Sequence, residues 1–584
     1  MFIINYVKTD GQVKCRKKIV PQQAPSELVV SRDGHSFYVG CLFGLNPEQL
    51  FTSDWATNPK LLNRLDAALY IVNYDELNCT FATDTTGREL LYYYFDENNF
   101  ILSDSFWEIM KVVQPSYENL DHEIIGEMIA SGGGVPCDNT TPIKNLYWVA
   151  PNTLGSFDLN TWSFSLSVFA EVRRTGEIKN LSDAIESMDC SMTRMGALLS
   201  SKHSRETFGL GLSGGLDSRI ALHYLQKANI SPICFNVCVS RPHGLLKATS
   251  IKNAKVLANR ASVDLSIVEW HPETVRSKMN QLLLQQPFGT CGHFTNAYKY
   301  EPEGMPRFDI LITAGQTIGP ALVGVSAPPE SDKLSKNDVF EYLYGLCISE
   351  VRTSPFTSGL IEDKVRSVFN LSDRKGKSEQ NTLWNRIVGR EIYESIAYRV
   401  NQFVSSRWEK GWRPADITMD YRTSALGAIG RNGAYESCLG KYQSYTIYTP
   451  FLVKEGLKWD IPLVENRRIL KELLKQKIPQ FSDVGEETFG GIDSGISPIR
   501  TFSEKINYLM RGTGIMADEW YASDKSIKNA FYEDMGNSCF WLKEMYPAIS
   551  DIDRVWMLSP SRRNAVWDMK RLVDCIESKR YLNF

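Results

Sequence analysis

Histidine is scarce: there are seven in 584 residues and none beyond His293. The second half of the chain therefore has no imidazole to act as a base or metal ligand. The twelve cysteines include no Cys-x-x-Cys pair, and the closest two, Cys234 and Cys238, sit in an apolar run. This spacing argues against a zinc knuckle or disulfide scaffold and for reduced thiols in a cytoplasmic protein. Charge of one sign is not in excess either, with 65 Lys+Arg against 68 Asp+Glu and a net charge of -3. A large nucleic-acid surface would tilt that balance, so no nucleic-acid partner is expected. Long apolar runs are missing. A long uncharged stretch, residues 310–329, carries three prolines and three glycines and reads as a buried strand running into a loop. The opening residues are interrupted by Lys8 and Asp10, unlike a secretory signal. No membrane partner is expected.

What is present is an ordinary globular mix, 43% hydrophobic and 23% charged, long enough for two to four domains. Up to about residue 170 the chain reads as short strands parted by turns: SFYVGCLFGL, AALYIVNY, CTFATD, ELLYYYF, FILSDS and LGSFDL. Two helices are predicted there, near Ser105–Val113 and Asp121–Ile129. After the polar stretch RRTGEIKN the texture changes. A helix from Leu181 to Leu199 leads into strands (TFGLGL, ISPICFNVCV, LSIVEW, DILITA) alternating with helices, the pattern of a parallel sheet with crossovers. From Lys333 the pattern is mostly helical.

One segment stands out, Gly209 to Ile220, GLGLSGGLDSRI, between a predicted strand and a predicted helix. Gly214 and Gly215 lack Cβ, which lets backbone N–H groups close on an anion and allows unusual φ. The following helix brings its positive end to the same point. Asp217 is the only acid there and suits Mg²⁺ held between phosphate oxygens, while Ser213 and Ser218 add hydroxyl donors. A dinucleotide fingerprint G-x-G-x-x-G also matches, but Gly209 and Gly211 read as strand residues and CFNVCVSR ends without the expected acid. A Walker A loop needs Gly-Lys-Ser/Thr, which is absent. The plain alternative is a Gly-rich turn with a helix cap.

The hexapeptide Ser213–Ser218, SGGLDS, resembles the PP-loop of the asparagine synthetase family of ATP pyrophosphatases. Asn73–Leu102 and Pro142–Asp158 resemble that family's N-terminal glutaminase domain, including an RD-x-x-G-like turn and paired aromatics. Tyr448–Leu457 resembles its "PFLD" region, and Asn466–Phe489 the helix and loop beyond. The resemblance implies an α+β Ntn-hydrolase-like sandwich over residues 1–172. An α/β parallel-sheet PP-loop domain with a helical C-terminal part would then occupy residues 180–584. It implies Mg-ATP as the nucleotide, held by Leu212, Ser213, Gly214, Gly215, Leu216, Asp217 and Ser218, with Val237, Ala314 and Gly315 lining it and Asp217 as metal ligand. The implied activity is adenylation of a small-molecule or peptide carboxylate with release of pyrophosphate, followed by amide formation with an amine or ammonia.

Several family positions differ. The glutaminase nucleophile, a cysteine exposed after Met removal, is replaced by Phe2, and the nearest cysteine is Cys15. No glutamine hydrolysis is therefore expected. The second family loop maps to Thr313–Gly324, which holds no acid, and Val453 stands where "PFLD" has Asp. Glu486 aligns with an expected catalytic Lys, and no lysine lies between Ile478 and Ser497. Two functions stay open: an ATP-dependent carbon–nitrogen ligase, and a nucleotide-binding or scaffold protein that keeps the fold without turnover.

Overall fold

In the computed structural model, the residues described are 2–9, 12–19, 27–131, 139–239, 245–270, 304–313, 333–348, 387–421, 443–448, 450–464, 467–484, 525–537, 540–556, 558 and 560–583.

The N-terminal region holds two antiparallel sheets. The first is ordered β2-β1-β8-β7-β9 and is built from Phe2–Thr9 (β1), Gln12–Ile19 (β2), Tyr92–Phe95 (β7), Asn99–Ser103 (β8) and Leu146–Trp148 (β9). The second is ordered β11-β10-β6-β5-β4-β3. It comprises Glu27–Val30 (β3), Ser36–Phe43 (β4), Asp66–Tyr74 (β5), Asn78–Thr83 (β6), Thr153–Asp158 (β10) and Ser163–Val168 (β11).

Alternation along the strands explains the layering, because successive side chains point to opposite faces. Phe2, Ile4 and Tyr6 of β1, Tyr93 of β7 and Phe100 and Leu102 of β8 share one core with Phe37, Val39, Tyr70, Val72 and Phe81 of the second sheet. Ile3, Tyr92, Tyr94 and Ile101 face the other way, into a helical layer. That layer contains Phe106–Val113 (α2) and His122–Ala130 (α3), and it also takes in the later helices Lys336–Ile348 (α7), Arg390–Trp408 (α8) and Pro560–Glu577 (α9). On the outer face of the second sheet, Tyr38, Leu42, Leu69 and Ile71 pack with Trp55 and with Leu50 of the short helix Pro47–Phe51 (α1). The α+β expectation for this region therefore holds.

Helices begin where a short polar side chain precedes an apolar run. Ser105 caps α2 by accepting from Glu108 N–H, Asp121 caps α3 by accepting from Ile124 N–H, and Asn180 caps Leu181–Lys202 (α4) by accepting from Asp183 N–H.

The third sheet is wholly parallel, ordered β14-β13-β12-β15-β16. Its strands are Phe208–Gly211 (β12), Ile233–Val239 (β13), Leu265–Trp270 (β14), Ile310–Thr313 (β15) and Gln443–Thr446 (β16). Crossover helices Leu216–Lys227 (α5) and Leu245–Ala261 (α6) follow β12 and β13. The strand order runs outward from β12 in both directions, so the topology switches beside β12. Strands β1–β3, β9, β11 and β16 are additions to the sequence expectation. Among the described residues no helix is long and apolar enough to cross a membrane. Cys15, Cys41, Cys79, Cys190, Cys234, Cys347 and Cys575 are free thiols.

The turn resembling RD-x-x-G joins the first domain to the parallel sheet. Asp84 accepts from Thr86 Oγ1 (2.9 Å) and Gly87 N–H (3.0 Å), and Gly87 has φ +49°. The next residue, buried Arg88, donates to the main-chain oxygen of Ser444 in β16 at 2.6 Å. Burial pushes the Asp84 carboxyl up to about 7, although the Thr86 hydroxyl, the Lys454 ammonium and the Gly87 N–H act to lower it. Folded Asp84 thus keeps its proton to higher pH than an unfolded aspartate, which titrates near about 4. Stability contributed by this group is present below about pH 4 and is lost as pH rises toward about 7, at up to about 1.4 kcal/mol per pH unit. Asp84→Asn, which keeps an acceptor for Gly87, should flatten that segment of the curve. Unfolding midpoints measured from pH 4.5 to 8 check this; equal slopes in both proteins would contradict it.

Candidate functional site: the loop after β12

Gly209 and Gly211 lie within β12, paired in parallel with Ile233 and Phe235. A Cβ on Gly209 would sit 2.5 Å from the Phe308 ring, which itself stacks on Phe235 with centroids 5.7 Å apart. Glycine at 209 thus serves strand packing, which removes the basis for the dinucleotide fingerprint. β13 continues past Phe235, opposite the end of β12, to Val239, so Val237 lies on the part of β13 that overshoots β12.

The loop proper starts at Leu212. Its N–H donates to Phe235 O (2.8 Å) and its carbonyl accepts from Asn236 Nδ2 (2.8 Å), so both backbone groups are committed to the sheet. Ser213 and Ser218 close the loop on itself. Their hydroxyls are 3.1 Å apart, Ser213 N–H reaches Ser218 Oγ at 3.2 Å, and Gly215 N–H reaches Ser213 Oγ at 3.1 Å. The contacts of both hydroxyls here are local and shape the loop.

Gly215 is the N-cap of α5 with φ −77° and ψ 166°, ordinary extended backbone. Neither Gly214 nor Gly215 adopts positive φ, so the conformational reason for these glycines is corrected as well. At Gly215 the remaining reason is space, since an added Cβ would meet only Ser213 Oγ, at 3.1 Å. Leu216 is buried in the core, and half-buried Asp217 sits in the first turn of α5, where main-chain N–H groups have no intrahelical carbonyl. An anion at this position meets backbone donors and the positive end of a twelve-residue helix.

Two side chains that sequence reasoning did not single out hold this arrangement. Tyr448 Oη donates to Asp217 O at 2.8 Å, and burial keeps the phenol well above its ordinary pKa and so protonated. Arg219, with no exposure, donates to Gly214 O (2.6 Å) and Gly215 O (3.2 Å) on one side and to Phe481 O (3.1 Å) and Val484 O (2.6 Å) on the other. The Arg in SGGLDSR was visible, but its partners outside the loop lie more than 260 residues away.

The histidines flanking the loop are packed. His203 Nε2 bonds Tyr445 Oη (2.9 Å) and His223 Nδ1 meets Gln480 Nε2 (3.1 Å), with burial lowering the pKa of both. Ala314, Gly315, the rest of the second loop beyond Thr313, His271 and Glu486 lie outside the described residues. Val453 is buried. Among the described residues no group of three His, Cys, Asp or Glu is placed to hold a metal.

In the first domain, Phe2 is 1% exposed between the two antiparallel sheets. Its ring lies 4.6 Å from that of Phe37 and 6.0 Å from that of Tyr70. Its N–H donates to Asp104 Oδ1 (2.9 Å), and its carbonyl accepts from Ser103 Oγ (2.6 Å). The residue heading β1 is therefore an integral packing residue.

No family model and no curated protein matches the chain. Among solved structures it is similar, at TM-score 0.18 and 9% identity, to an allosteric regulatory enzyme of purine biosynthesis, covering 46% of this chain and 74% of that one. A glutamine phosphoribosylpyrophosphate amidotransferase from B. subtilis, complexed with ADP and GMP, gives TM-score 0.15 and 11% identity over 45% of this chain and 59% of its own. Likeness at that level bears on neither the site nor its chemistry.

Phe2 yields two direct expectations. Phe2→Ala opens a void between the sheets and should cost about 3–5 kcal/mol of stability, and the parent, with no cysteine at this position, should not hydrolyse glutamine. Thermal unfolding of both proteins tests the first expectation and a glutamate-release assay on the parent the second; an unchanged unfolding midpoint would overturn the packing account, and steady glutamate production tracking the parent would overturn the other.

Proposed function

We propose that the chain is an ATP-dependent carbon–nitrogen ligase of the asparagine synthetase-like kind. It would adenylate the carboxylate of a small molecule or peptide, release pyrophosphate and pass the acyl group to an amine or ammonia. The observation that carries this reading is the position of Ser213–Ser218. The hexapeptide follows β12 at the point where the strand order of the parallel sheet reverses, and it runs straight into the N-terminus of α5. In open α/β sheets the crevice at such a switch point, outside the carboxyl ends of the strands, is where ligands bind.

The donor set fits magnesium carried by a polyphosphate. Mg²⁺ in phosphate sites keeps several waters and takes one or two protein carboxylates, and Asp217 supplies one. When bound, the ion would offset charge on the β- and γ-phosphates. The chain's own part is to present first-turn N–H groups of α5 to phosphate oxygens, with the Ser213–Ser218 contacts fixing the loop and Tyr448 holding the Asp217 carbonyl. Preorganised donors of this kind stabilise charge developing on a leaving group without reorganising.

A second reading, nucleotide binding without turnover, is favoured by the absence of lysine between Ile478 and Ser497 and of any acid in Thr313–Gly324.

Calorimetry with Mg-ATP and a pyrophosphate-release assay across carboxylates with ammonia or amines separate the two. Asp217→Ala should weaken Mg-ATP binding at least tenfold while changing metal-free ATP binding much less. Equal affinity for Mg-ATP in parent and variant would sink both readings of Asp217. Binding with no release of pyrophosphate for any carboxylate would favour the second.

A further inference from the structure

Arg219 sits between the loop and a distant segment, and its geometry has a consequence for the loop's donors. A peptide unit is planar and trans, so its C=O and N–H point in opposite directions. With the Gly214 and Gly215 carbonyls turned toward the guanidinium, the N–H groups of Gly215 and Leu216 must point away from it. The Gly215 N–H goes to Ser213 Oγ, and the Leu216 N–H heads the first turn of α5. The other end of the same guanidinium holds Phe481 O and Val484 O, at the short helix Pro479–Ser482 and just beyond it. That segment is gripped a second time from α6, where Arg260 donates to Gln480 O (2.9 Å) and pairs with Asp483 (Nη2 to Oδ2, 2.9 Å), without touching the loop. Because a guanidinium is a rigid planar fork, a shift of the loop carbonyls cannot leave the Phe481 and Val484 contacts unchanged.

We propose that Arg219 is a positioning residue that aims the backbone donors of the Ser213–Ser218 loop and transmits occupation of that loop to the segment Pro479–Val484. The inference rests on the phosphate-binding reading of the loop. A lysine in its place keeps the charge but offers one point of donation in place of a fork, and leaves loop carbonyls free to turn.

The test is hydrogen exchange on the full chain with inorganic pyrophosphate and Mg²⁺ as the probe, combined with its binding affinity. In the parent, pyrophosphate should slow amide exchange at least threefold over residues 213–218 and also over 480–484. Arg219→Lys should bind pyrophosphate at least tenfold more weakly and, at saturation, show slowing at 213–218 with none at 480–484. Arg260→Ala, which loosens the same segment from its other side, should stay within twofold of the parent's affinity. Slowing confined to 213–218 in the parent would overturn the coupling, as would an Arg219→Lys affinity within twofold of the parent. The parent exchange pattern decides the matter even if Arg219→Lys does not fold. A parent that neither binds pyrophosphate nor shows slowing at 213–218 would instead refute the phosphate-binding reading on which the inference stands.

Discussion

A guanidinium cannot readily shed its charge, so burying one obliges the fold to supply acceptors along its fork. Among the described residues, three of the buried arginines meet that demand across long stretches of the chain. Arg88, Arg174 and Arg219 are all buried, and each donates to main-chain carbonyls far away in sequence: Ser444, Gly456, and the pair Phe481 and Val484. Removing any of them would leave buried carbonyls without their donor, a cost of about 1–3 kcal/mol for each group. Together they join the first domain to the outer strand of the parallel sheet, the interdomain stretch to the segment after β16, and the loop to the helix at Pro479–Ser482.

Around these ties the apolar cores are continuous where a domain list would separate them. Cys41, Phe43 and Ala68 of the second antiparallel sheet share a core with Met188, Met192 and Met195 of α4 and with Tyr445 of β16. Ion pairs line the same boundary, from Arg194 to Asp66 and from Lys202 to Glu27. On the opposite side, α3 meets α8, where Arg399 reaches Glu127 at 2.9 Å. The loop after β12 is thus set in a sheet whose edge strand and neighbouring helix are themselves held by the first domain.

Much of this was legible because apolar periodicity reports which faces are covered. The run Tyr92-Tyr93-Tyr94 divides between two cores as strand alternation requires, and GLGLSGGLDSRI falls into strand, loop and helix near the expected boundaries. Strands with weak apolar signals were missed. β2 is rich in Lys and Arg, β11 is an exposed edge strand, and β16 is four residues long and set among helices. Arg88, Arg219 and Tyr448 could not be found from spacing, because each takes its meaning from a main-chain oxygen brought near only by folding. Gly209 was legible as a strand residue, but the reason for a glycine there, the Phe308 ring 2.5 Å from where a Cβ would sit, appears only on folding.

The polar stretch RRTGEIKN has the composition of a slack connector, yet it is built like a fastening. Arg174 is buried with its guanidinium on Gly456 O, Thr175 and Ile178 bond the backbone of Leu457 and Lys458, and Arg173 reaches Gly411 O and the Trp412 ring. A chain severed there would not yield two modules free to be swapped or studied apart. It would bare apolar surface on both halves and take from the Gly456 carbonyl the donor that satisfies it. For this protein the unit that can be inherited, transplanted or expressed is the two regions together.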